Sequence, residues 1–220
     1  LELTYLYDEL EDFFGKSLSR RAEAYFYESS HQKKRLMGAG RTRVAKPWQY
    51  ALHVDSPYVG MSTLKHELAH VLSAELVPAP HHLSLYRGWL PHMPLIEGLA
   101  EAATWDEGHL TPHQLSAALR REGLAPPLTE LLNPGGFYLS SSRLAYTMCG
   151  SFVRFYREQE GIEAMNALYA SGGAELMGAR LERVVEAWAQ RVDALTLGQQ
   201  EQRFMAQMLN RPSIFYKVCA

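Results

Sequence analysis

Two cysteines in 220 residues, Cys149 and Cys219, are too few for a disulfide framework or a thiolate-bound zinc. One disulfide between them stays open, with two buried or free thiols as the simpler expectation. Charge of one sign is also lacking: 22 Lys and Arg stand against 24 Asp and Glu, a net charge of −2. With no basic excess to displace phosphate counterions, nucleic acid is not an expected partner. No run approaches 18 apolar residues, so no membrane-spanning helix is expected within the chain. Internal repeats and low-complexity tracts are absent as well. What remains is an ordinary globular composition, 47% hydrophobic and 21% charged, long enough for a substantial core. The chain opens on Leu1 and ends in the apolar stretch 212–220, which reads as a piece excised from a longer protein.

Periodicity divides the chain. Residues 3–14 have helical spacing closed by Gly15, and residues 21–28 alternate as a strand. A short basic helix is expected over 31–37, its Lys33-Lys34-Arg35 run on a solvated face. A second strand is expected over 48–54, then a helix beginning near Met61. These elements form an α/β lobe ending at residue 76. Beyond a Pro- and His-rich connector the pattern turns helical: 96–105, a helix opened by Thr111-Pro112, then 144–159, 162–170, 173–195 and 199–209, with loops at Pro126-Pro127 and Asn133–Gly136. The expected class is α+β, one domain over 1–220 with lobes 1–76 and 77–220.

Chemistry concentrates in His66-Glu67-Leu68-Ala69-His70. Two histidines four apart stand one turn apart on one helix face, so both imidazoles reach one ion. Glu67 sits beside the first, placed to hold a water without ligating. Leu64, Leu68, Val71, Leu72 and Leu76 would fix this helix in the core. A catalytic zinc takes three protein ligands and keeps a fourth position for water. A third histidine on a continuation of the helix is ruled out by Ser73 and Leu76. Downstream, Glu97 and Glu101 lie four apart on one helical face; one carboxylate can bind the metal while the other accepts the second N–H of a ligating histidine.

These segments resemble the gluzincin metallopeptidases, which include thermolysin and the aminopeptidase N family, and are most similar to bacterial peptidase MA-like domains. The resemblance covers roughly residues 45–170, with specific motifs at three places: His66–His70, Glu97-Gly-Leu-Ala, and the segment from Ala145 to Tyr156. It implies a zincin-like fold, Zn²⁺ held by His66, His70 and Glu97, and Glu67 as general base. Glu101 would orient a zinc-bound histidine, and Tyr146 would be the catalytic tyrosine. A peptide or protein is the implied substrate. The G-x-M-E-N segment with which related aminopeptidases grip a free amine is missing, so endopeptidase action is expected. The alternative is a zinc-holding, non-catalytic module for binding or sensing in a larger, membrane-tethered protein. MA-like domains often lie outside the cytoplasm, which is the localisation expected by analogy. Oligomeric state is left open. The connector histidines His81, His82 and His92 are expected to be solvated. His53 is expected on an edge strand whose backbone could pair with extended substrate.

Overall fold

The computed structural model describes residues 2–40, 44–55, 60–105 and 110–198, and Gln202. It divides into two compact units, 1–83 and 84–220. The architecture is helix-rich with two small sheets, compatible with the α+β class.

In the first unit, α1 (Glu2–Phe14) carries Leu6, Leu10, Phe13 and Phe14 at helical spacing, all buried. At about 1.5–3 kcal/mol per large apolar side chain, this stripe is what holds α1 to the core. Three strands follow among the helices: β1 (Glu23–Tyr27), β2 (Val44–Lys46) and β3 (Ala51–Asp55). Between β1 and β2 lies α2 (Ser30–Met37), opened by the Ser29 hydroxyl accepting from the Gln32 N–H. The strand order is β1-β3-β2, with β1 parallel and β2 antiparallel to β3.

The topology corrects the expectation for His53. β3 is the central strand: β1 pairs along all of it and β2 pairs with Ala51–His53, so at His53 it offers no free edge for strand addition. Among the described residues the outer strands of this sheet are β1 and β2. The second strand also starts later than expected, at Ala51, because Pro47 lacks an N–H and opens a 3₁₀ turn over Pro47–Gln49 that Tyr50 closes at φ 54°. Lys33 is a second correction: it is fully buried rather than solvated. Burial, with Lys46 and Lys33 adding to it, pushes the His53 imidazole below its usual range.

After β3 comes α3 (Met61–Leu72), continued by a 3₁₀ turn over Ser73–Leu76. Leu64, Leu68, Val71 and Leu72 are buried, as helical spacing requires. Lys65 of α3 reaches Glu9 of α1 at 3.0 Å.

The second unit opens with a hairpin of β4 (Leu85–Tyr86) and β5 (Leu90–Pro91). Helices follow: α4 (Met93–Thr104), α5 (Pro112–Arg121), α6 (Leu128–Leu131), α7 (Pro134–Leu139), α8 (Ser142–Glu160), α9 (Ile162–Ala170) and α10 (Gly178–Asp193). α5 starts where Thr111-Pro112 placed it, with a capping box between Thr111 and Gln114. The expected loop at 133–136 is instead the start of α7. Pro134 occupies the first helical position, and Gly136 admits the Glu130 carbonyl, which a Cβ there would meet at 2.2 Å. α10 begins at Gly178 rather than 173, because Gly172 and Gly173 take left-handed backbone and belong to a turn. The helix expected over 199–209 and the tail with Cys219 lie outside the described residues, apart from Gln202. Cys149 is a free, fully buried thiol. Among the described residues no helix is long and apolar enough to cross a membrane.

Candidate metal centre

α3 presents His66 half-buried and His70 buried, with Glu67 buried between them. The two imidazole rings stand edge to face, 4.9 Å between centroids, as one helical turn of separation dictates. The apolar residues behind them do the positioning: Leu72 and Val71 are completely buried, which fixes the rotation of the helix about its axis.

Glu97 and Glu101 lie on α4, one half-buried and the other buried. α4 packs chiefly on α8, and two glycines set how closely. A Cβ at Gly98 would come within 3.0 Å of the Cys149 backbone, so its absence lets the two helices meet beside Glu97. A Cβ at Gly150 would fall 2.4 Å from the Glu101 Cγ, so the Glu101 side chain lies over the bare backbone of α8. Gly150→Ala therefore forces Glu101 to move. We expect a loss of about 1–3 kcal/mol in denaturant unfolding from overpacking. If Glu101 supports a metal ligand, zinc affinity in a chelator competition falls with it by roughly 10–100-fold.

His66, His70 and Glu97 each offer one donor atom, and the three atoms all lie within 4.8 Å of one another. This group is able to hold a metal ion. Two imidazoles and one carboxylate are a donor set used by catalytic zinc sites that keep a position for water, so the residues fit such an ion.

Tyr146 is half-buried near the start of α8, its ring stacked on Phe137 of α7 at 5.5 Å. Phe137 also meets the next residue, Tyr138, edge to face at 6.0 Å, so two phenols flank one aromatic ring. The Tyr138 phenol is raised above its usual range, first by partial burial and then by the negative charge of Glu97. Sequence reasoning did not single out Tyr138, and nothing in its spacing does so, because α7 itself was not expected.

The connector histidines depart from the solvated expectation in two of three cases. His81 is exposed. His82 turns its Nδ1 to the Ala74 carbonyl at 3.2 Å and its ring edge to Tyr50. His92 is buried and caps α4, its Nδ1 accepting the Leu95 N–H at 3.2 Å. A capping side chain satisfies backbone donors that the first helical turn leaves unpaired, which is why a histidine next to Met93-Pro94 is drawn inward.

Among the described residues His113 of α5 is the other buried histidine of the second unit. Its Nδ1 lies 2.8 Å from the Ser151 hydroxyl, which also accepts from the Trp188 indole N–H at 2.9 Å. Ser151 and Trp188 are wholly buried, so this cluster ties α5, α8 and α10 together as internal structure.

No family model, curated protein or solved structure matches this chain.

Proposed function

We propose that the chain is a zinc-dependent peptidase of the gluzincin type, with a zincin-like fold and a preference for internal peptide bonds. The observation that carries this reading is the convergence of His66, His70 and Glu97 to within 4.8 Å. When bound, zinc supplies Lewis acidity that polarises a peptide carbonyl and brings the pKa of a water towards about 7.

The chain's own residues do the rest. Glu67, buried beside the histidines, takes the proton from the attacking water at its carboxylate and returns it to the leaving amine. Glu101 accepts the outward N–H of His66 and fixes its tautomer. Tyr146 donates its phenolic proton as a hydrogen bond to the carbonyl oxygen as charge gathers there. Donors of that kind are worth up to about 3–4 kcal/mol elsewhere.

Elemental analysis of protein purified without chelator is expected to give one zinc per chain, with hydrolysis of casein or a mixed peptide library that chelator abolishes and added zinc restores. Zinc without hydrolysis across a diverse library would replace the peptidase reading with that of a metal-holding binding module. Protein without zinc would remove both.

A further inference from the structure

The second unit contains a cavity of about 320 Å³ that the metal centre does not account for. Its walls are mostly apolar: Leu95, Leu132, Phe152, Leu168, Leu176 and Leu181 come from α4, the end of α6, α8, α9, the turn before α10, and α10. Pockets of this size and character are typical of sites that enclose most of a small molecule.

One part of the lining is polar, and it is arranged. His92 is only 4% exposed, yet it lines the cavity. Because its Nδ1 accepts the Leu95 N–H, the neutral ring carries its proton on Nε2. That nitrogen points towards Gly173, where a Cβ would stand 3.5 Å away. Nε2 has no hydrogen-bond partner among the described residues, yet it is not sealed from solvent. A donor that lines an apolar cavity and has no acceptor on the protein there is matched by an acceptor on whatever fills the cavity. Beside it, Tyr86 packs on the His92 ring at 5.3 Å, and the Arg87 guanidinium sits 5.3 Å above the Tyr86 ring at the rim. Burial holds His92 at about 4, so the imidazole is a neutral donor at neutral pH and Arg87 supplies the positive charge.

We propose that this cavity binds a carboxylate with an apolar tail. The tail lies among Leu95, Phe152, Leu168 and Leu181, and the carboxylate meets the His92 Nε2–H and the Arg87 guanidinium. Two sources share that chemistry, a free medium-chain acid and the C-terminal residue of an apolar peptide. The site stands independently of the peptidase reading.

Calorimetric titration of the whole chain tests it, with decanoate, with decanol as the uncharged analogue, and with acetyl-Ala-Phe as the peptide carboxylate. At least one carboxylate is expected to bind saturably at one per chain, and decanol at least tenfold more weakly than decanoate. Whichever carboxylate binds more tightly identifies the source. Arg87→Gln is expected to weaken the carboxylates about tenfold and leave decanol unchanged. Thr129→Trp, filling the cavity from one wall, weakens all three probes at least tenfold. Leu181→Trp fills it from another wall and serves if the first variant does not fold by thermal unfolding. Binding that chelator abolishes would place the carboxylate on the metal centre and overturn the proposal. So would equal binding of decanoate and decanol, binding untouched by both filled-cavity variants, or no saturable binding by any probe.

Discussion

Glu67→Gln is expected to keep one zinc per chain and to lose about 10²–10⁴-fold in peptide hydrolysis. The amide is nearly the shape of the carboxylate and leaves the histidines alone, but it cannot accept the water's proton. Glu67 is buried on the same stretch of helix as His66 and His70, so a cruder replacement would confound chemistry with packing. The informative measurement is therefore the pair of values, zinc content beside the hydrolysis rate. Hydrolysis at the wild-type rate with zinc in place would sink the assignment of Glu67 as base.

The second large effect separates the two glutamates of α4. Glu97→Ala removes a donor atom from the group and is expected to weaken zinc by well over 100-fold in a chelator competition, with activity lost in step. Glu101→Ala removes only a support, for which losses of roughly 10–100-fold are usual. The reverse order would mean that Glu101 is the ligand and Glu97 its support, an exchange that their four-residue spacing leaves open.

Local patterns were legible wherever the deciding physics was local. The stripe Leu6, Leu10, Phe13, Phe14 made α1, and Thr111-Pro112 with Gln114 made the start of α5, because spacing and capping are written within a few residues. The two histidines and both glutamates were legible for the same reason, each pair being one helical turn apart. Misreadings fell where a distant group decides. Gly136 reads as a loop residue until the Glu130 carbonyl is seen occupying the space of its missing side chain. Lys33 reads as solvated because charge alone does not say which face of α2 is covered. His92 reads as a loop histidine until its role as the cap of α4 is known. Which strand lies at the centre of the β1-β3-β2 sheet is a matter of topology, and the hydrophobic pattern of β3 is silent on it. The cavity beside His92 belongs to this second kind: its walls are gathered from residues as far apart as Tyr86 and Leu181.

The meeting of Gly98 with Cys149 also bears on time. The reactive form of a cysteine is the thiolate, and burial of Cys149 pushes its thiol far above the usual range and bars access to it. A thiol reagent reaches that sulfur only when the packing around it opens, and an opening between α4 and α8 also withdraws the backbone against which Glu101 is set. The pace of Cys149 alkylation is thus expected to count local openings of the helix packing that also carries Glu97 and Glu101.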